Sequence, residues 1–527
     1  MYNDKKFEGN SDYSRDIEFH LHSYTHPSTL SKEGPHIINK GDGIYVFDDT
    51  GKKFIEGMSG LWCASLGFSE NELIKTITEQ LKRLPFYHSF AGKTANPAID
   101  LAEHLIKISP VNMSKVFFAN SGSEANDTAI KMIWYYSLAR GLPNKKKIIS
   151  RKKGYHGVTI AAASLTGMSY AQDGFSLPLD FALHTKAPDY FNDALPNENE
   201  ATFSDRLAKE LETLILEEGP ETIAAFFAEP VMGAGGVIIP PESYFPKIQK
   251  ILNKHDILMV ADEVICGFGR TGNMWGSETF NIKPDIITTA KALSSAYLPI
   301  SAVILSEKVY KPIESQANDL GIFGHGYTYS AHPVCAAVAL KTQQIMIERD
   351  IISNVKKVSK VFGERIKQTN KNNWFISNGR SVGLIGAIEF GYDKNKKFDI
   401  KYVKYVGSVR SEKTGQWRFN ERMIGLEGGE SLDAALKRID EEKKLLNIEL
   451  PDPDQVESAA IEEPPPVEEP EPEEVEPEDT SNPVLTTIAI EAVDTNDAAL
   501  EDVSDEEPST EDDSTVEAVS DVVVSPS

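Results

Sequence analysis

The sequence predicts an α/β protein: a mostly parallel sheet with helices on both faces, followed by a chain end that does not fold with it. Three observations carry this. From about residue 34 to 390, short β-rich runs alternate with helical patterns. The runs are apolar throughout, without hydrophobic/polar alternation, as strands covered on both faces require. From residue 451 to 527 there are 26 Asp and Glu and no Lys or Arg.

In chain order, "GIYVFDDTGKKFIEG" (43–57) reads as a hairpin turning on Asp48-Asp49-Thr50-Gly51. The expected buried strands are "KVFFA" (115–119), "KIIS" (147–150), "IAAFFA" (223–228), "ILMVA" (257–261), "DIITT" (285–289) and "ISAVIL" (300–305). Helical patterns fall near 97–108, 122–139, 204–217, 243–254, 330–348 and 350–369. In 393–450, "YVKYVGSVRSEKTGQWRF" predicts a hairpin around Lys413-Thr414-Gly415. "SLDAALKRIDEEKKLLNI" predicts an amphipathic helix with Ser431 as cap and Leu432, Ala435, Leu436 and Ile439 on one stripe.

The Pro/Glu-rich stretch from residue 451 cannot bury enough apolar surface to offset chain entropy and predicts a disordered, dispensable tail. The chain holds 80 acidic and 54 basic residues, so the tail accounts for the whole net charge of −26. Residues 1–450 are balanced, and their totals imply no basic face for nucleic acid. The tail's charge suits a basic partner; the sequence names none. Cys63, Cys266 and Cys335 are far apart and form no CxxC pair, so neither a zinc site nor a disulfide framework is expected. The first residues hold no apolar secretory core and no 18-residue apolar run occurs, so a cytosolic protein away from membranes is expected.

Three places carry candidate chemistry. In "FFANSGSEANDTAIK" (117–131) a strand ends and a helix begins among Gly122, Ser121 and Ser123. Free N–H groups at a helix start suit a phosphate; equally, Ser123 could simply cap the helix. In "ILMVADEVICGFGRTG" (257–272), Asp262 and Glu263 end an apolar strand, where ligand crevices lie in open α/β sheets. Asp262 could instead cap the segment after the strand. "GFGRTG" (267–272) matches G-x-G-x-x-G, but no amphipathic helix comes after it, so a dinucleotide site is rejected. In "DIITTAKALSS" an apolar run leads into Lys291. A lysine there can snorkel to water; in a dry pocket its lowered pKa lets it attack an aldehyde. Phosphate cradle, strand-end carboxylate and sheltered lysine together fit pyridoxal 5′-phosphate.

Seven blocks then resemble one family in order: "GMSGLWCASLGF" (57–68), "NSGSEANDTAIK" (120–131), "GYHGVT" (154–159), "AEPVMGAGGVIIPP" (228–241), "ADEVICGFGRTG" (261–272), "TTAKALSSAYLPISAV" (288–303) and "HGYTYSAHPVCAA" (325–337). Over roughly residues 15–390 the chain resembles the class III, fold-type I, pyridoxal-phosphate aminotransferases, especially the ω-amino acid:pyruvate group. The resemblance implies transamination between an amine donor and a 2-oxo acid. It implies that Lys291 binds the cofactor's aldehyde and shuttles a proton, and that Asp262 pairs with the ring nitrogen. Gly122 and Ser123 would bind the phosphate. Tyr155 would stack on the ring with His156 close by, Val264 would pack on its other face, and Glu229 would lie beneath. Thr328 would reach the partner subunit's phosphate, implying a homodimer, and Trp62 would line the substrate pocket. Related folds also support decarboxylation or aminomutation, and an inactive scaffold with an acidic interaction tail is a further alternative.

The resemblance divides the chain into 1–60, contributing to a small domain; a cofactor-binding large domain, 61–335; the start of a C-terminal small domain, 336–392; a region of no recognised family, 393–450; and the tail, 451–527. After "GLIGAIEF" (383–390) the family continues with a segment whose arginine pairs with the substrate carboxylate; no such pattern is present here.

Overall fold

The structure, a computed structural model, describes residues 9–373, 375–391, 401–410, 417–426 and 434–438. All of them belong to the unit Met1–Ile439. The expected disordered tail, residues 451–527, lies outside the described residues. So do the proposed cap Ser431 and the helix beyond residue 438.

The centre is a seven-stranded sheet. Its strands are β4 (Lys115–Ala119), β5 (Lys147–Arg151), β6 (Ala182–Thr185), β7 (Ile223–Ala228), β8 (Leu258–Asp262), β9 (Ile286–Thr289) and β10 (Ser301–Leu305), in the order β4-β10-β9-β8-β7-β5-β6. Strands β5 to β9 run parallel to their neighbours, as the expected mostly parallel sheet requires. The exception is β10, antiparallel to both β9 and β4. The apolar runs could not reveal this, because an antiparallel strand inside a covered sheet is buried on both faces too.

Neighbouring residues of one strand feed opposite layers. Phe227, Ile148 and Val260 pack with Ala129, Ile130 and Ile133 of the helix Gly122–Ala139. Phe226, Ile149 and Met259 pack instead with Phe203, Leu207 and Leu211 of Glu200–Glu218 and with Phe245 and Ile248 of Tyr244–Lys254. Because successive strand side chains point to opposite faces, a strand between two helical layers must be apolar at every position. All six residues of β7 are buried.

An antiparallel sheet of β1 (Ile38–Asp42), β2 (Tyr45–Asp48) and β3 (Lys53–Ile55) contains the expected hairpin. Asp48 Oδ1 holds its turn by accepting from the Thr50 and Lys52 N–H groups at 3.0 and 2.9 Å. Further on, β11 (Ile376–Val382) pairs with β12 (Ile385–Phe390). The hairpin expected near residue 413 is present as β13 (Lys401–Arg410) against β14 (Trp417–Leu426), in register from Lys401–Leu426 to Arg410–Trp417. Residues 434–438 are helical, with Ala435 buried. Among the described residues, no helix is long and apolar enough to cross a membrane.

Candidate active site

Strands β5, β7, β8 and β9 end at the same edge of the sheet. So does β4, since it is antiparallel to β10, which is antiparallel to β9. One cavity opens there, and the chain just past each of these ends lines it: Gly122, Ser123 and Asn126 after β4; Tyr155, His156 and Gly157 after β5; Glu229 after β7; Asp262, Val264 and Ile265 from β8; Ala290 and Lys291 after β9. In α/β sheets the carboxyl edge of the strands is where ligands bind.

Asp262, the last residue of β8, is 3% exposed. Its Oδ2 accepts from Asn126 Nδ2 at 2.9 Å and faces His156 Nδ1 at 2.8 Å; its Oδ1 accepts from the Val264 N–H at 3.2 Å. Asn126 also donates to the His156 carbonyl at 2.6 Å, and the His156 N–H donates to Thr166 Oγ1 at 2.9 Å. The carboxylate is therefore aimed by a closed set of neutral donors and a histidine. His156 Nε2 is buried with no partner. Glu229 is buried; its Oε1 accepts from the Tyr155 N–H at 3.1 Å and its Oε2 from the Gly233 N–H at 3.0 Å. Burial pushes its carboxyl above the ordinary range.

Lys291 opens a short 3-10 turn after β9, with φ 46°. That left-handed conformation is unfavourable for a lysine and costs strain that the packed surroundings must offset. Its side chain is half-buried, with Nζ 5.6 Å from the centre of the Trp62 ring. Burial lowers its pKa below the ordinary lysine value, against the pull of the Asp262 and Glu229 charges. Burial also raises the Tyr155 phenol, helped by the Tyr24 hydroxyl 3.3 Å away.

The helix Gly122–Ala139 begins at the cavity. Its cap is Ser121, whose Oγ accepts from the Glu124 N–H at 3.2 Å, so Ser123 is not the cap. Instead Ser123 Oγ accepts from the Val158 N–H at 3.1 Å and ties the helix start to the segment after β5. Gly157 makes that approach possible: its φ is +132°, and a Cβ there would lie 2.5 Å from Ser123 Oγ and 2.9 Å from Ser123 Cα. Gly157→Ala is therefore expected to displace the helix start and weaken cofactor retention about tenfold or more. Absorbance of bound cofactor after gel filtration measures this.

All the residues expected in the cofactor pocket line this cavity, apart from Thr328, which is exposed and does not line it. Asn126 is the residue that sequence reasoning missed. The available signal was its spacing: three to four residues past Gly122 and Ser123, it falls on the same helix face.

An amine, a buried carboxylate and a helix start fit the aldehyde, ring nitrogen and phosphate of pyridoxal phosphate by the chemistry of the donors. The family profile for class-III aminotransferases matches residues 29–414. The chain belongs to the class-III aminotransferases.

This aminotransferase is 54% identical to gamma aminobutyrate transaminase 1, mitochondrial, of Solanum lycopersicum, over 68% of this chain and 70% of that one. It is 50% identical to vanillin aminotransferase of Capsicum frutescens, over 74% and 86%. Among solved structures, an omega transaminase from Pseudomonas jessenii in complex with PMP matches with TM-score 0.71 and 52% identity, over 72% and 84%. The enzyme thus uses pyridoxal 5′-phosphate to move an amino group from an amine donor to a keto acid. The cytosolic expectation is corrected: the tomato relative and two from Oryza sativa are named mitochondrial and another from tomato chloroplastic, pointing to an organelle and chiefly the mitochondrion.

Proposed function

We propose that this cavity is the transamination site, with Lys291 and Asp262 as its acting groups and ω-amines as its donors. The carrying observation is that Lys291, Asp262, Tyr155 and the start of helix Gly122–Ala139 line one cavity at one sheet edge. Gly122 and Ser123 present first-turn N–H groups and a hydroxyl to an anion. Asp262, aimed by Asn126 and His156, would hold the cofactor's ring nitrogen and favour its protonated form. Tyr155, fixed through its N–H by Glu229, and Val264 both line the cavity, where they would pack on the cofactor ring. When bound, pyridoxal phosphate supplies an electron sink for the carbon that gains or loses nitrogen. Lys291 Nζ, its pKa lowered by burial, takes up and returns the proton at that carbon. Trp62, beside Lys291, forms the substrate wall.

The names of the relatives support ω-amines as donors. Rates with 4-aminobutyrate, β-alanine and an α-amino acid, each with pyruvate, test this; a preference for the α-amino acid would reject it. A homodimer is supported by exposed Thr328 beside exposed Tyr329, and by exposed Phe86 and Tyr87 near them. A monomer in analytical ultracentrifugation would reject that state.

No arginine lines the cavity among the described residues. A sheltered bidentate arginine–carboxylate pair contributes about 1.5–3 kcal/mol, roughly a tenfold to hundredfold rate effect. Carboxylate acceptors are therefore expected to react slowly. A chimera carrying a family-like segment after Phe390 should raise the pyruvate rate by that factor. Equal rates, near those of ordinary transaminases, would show that residues 391–450 already supply the grip.

A further inference from the structure

The N-terminal helix Asp12–Phe19 ends in a cluster that transamination does not use. Asp16 on the helix and His20 and His22 just past it bring three donor atoms within 4.8 Å of one another. His20 Nδ1 lies 3.0 Å from Asp16 Oδ1, and His22 Nε2 lies 2.6 Å from Asp16 Oδ2. The two imidazole rings lie with centroids 4.3 Å apart and planes tilted by 41°. Asp16 and His22 keep only 21% and 25% of their side chains exposed, while His20 keeps 65%.

We propose that Asp16, His20 and His22 form a site for a divalent transition-metal ion of the zinc type, which ties the helix to the segment carrying Tyr24. Two imidazole nitrogens and a carboxylate are a donor set that zinc takes at ~2.0–2.2 Å, which places tetrahedral donors roughly 3.3 Å apart. The imidazole nitrogens here meet different oxygens of Asp16, at 3.0 and 2.6 Å, and one donor atom from each residue lies within 4.8 Å of the others, so shifts on the order of 1 Å bring the three to tetrahedral spacing. Nitrogen donors disfavour calcium and magnesium, which seek oxygen, and favour the later first-row divalent ions. The three ligands fall within seven residues, so closing the chelate costs little chain entropy. Three protein ligands leave a fourth position for water.

The position of the cluster gives it consequence. Two residues past His22, the Tyr24 hydroxyl lies 3.3 Å from that of Tyr155, and the Tyr24 ring meets Tyr170 edge-on at 6.1 Å. Tyr155 lines the cofactor cavity. A metal joining helix and segment would hold Tyr24 at the rim of the active site.

The test uses the full chain with its cofactor, stripped of metal by a chelator and titrated with zinc sulfate in a calorimeter. One zinc per chain is expected, and His20→Ala/His22→Ala should weaken that binding at least about tenfold. His36→Ala, a distant exposed histidine, should leave it unchanged. Cobalt(II) should give visible d–d bands with the parent chain and lose them with the double variant, whose thermal transition serves as the check on folding. Hydrogen exchange over residues 12–26 should slow when zinc binds. Absence of zinc binding, or the same stoichiometry and affinity in the double variant, overturns the site. Unchanged exchange with one zinc bound overturns the tie to Tyr24.

Discussion

Lys291→Ala is expected to abolish the borohydride-reducible adduct between protein and cofactor and to cut transamination by at least about 10⁴-fold, since both covalent capture and proton transfer at one nitrogen are lost. Mass spectrometry of the reduced protein reads the first effect and steady-state rates the second; an intact adduct would reject the assignment. The parent enzyme's pH profile carries a related expectation. Burial lowers the Lys291 pKa, so its neutral amine is available at lower pH than in an exposed lysine. Activity should therefore hold its level further toward neutral pH than an amine of ordinary pKa allows.

Asp262→Asn is the second large effect. The substitution keeps the shape and removes the charge at a side chain that is 3% exposed. It also places a donating amide NH2 either toward Asn126 and His156, which both face Oδ2 at under 3 Å, or toward the Val264 N–H, which donates to Oδ1, so a donor loses its acceptor. Losing one charge-assisted contact in a dry site costs about 1.5–3 kcal/mol, or roughly tenfold to hundredfold in rate. Cofactor should still bind, held by Lys291 and the helix start. Rapid-mixing spectra with donor amine should show cofactor present but slow to react; undiminished turnover would remove Asp262 from the chemistry.

The site was legible in the sequence to the extent that it sits at the ends of runs. Asp262 and Lys291 each come after an apolar stretch that only a strand covered on both faces would carry, so pattern alone put them at the sheet edge. Asn126 was not legible in this way, because a polar residue in the first helical turn looks like part of an ordinary helix start. The strand β6, "ALHT", is too short and too polar to stand out. The helix Glu307–Leu320 holds Pro312 inside it, a residue that normally marks a break. Glu263 shows the opposite limit. The residue pattern places it beside Asp262 and only the family resemblance separates the two, whereas the fold buries Glu263. There its carboxylate accepts from the Gly276 and Ser277 N–H groups at 2.9 and 2.6 Å and anchors the loop after β8.

The order β4-β10-β9 has a consequence for biosynthesis. The strand that delivers Gly122 and Ser123 is hydrogen-bonded into the sheet only through β10, and on the order of 180 residues separate Ala119 from its partner Ser301. At about 5–20 residues per second, a ribosome needs roughly 10–40 s to make the partner once β4 has emerged. During that interval β4 is an unpaired apolar edge, a surface that chaperones cover and that aggregation exploits. The segment that carries Gly122 and Ser123 therefore acquires its sheet support only after Lys291 has been synthesised.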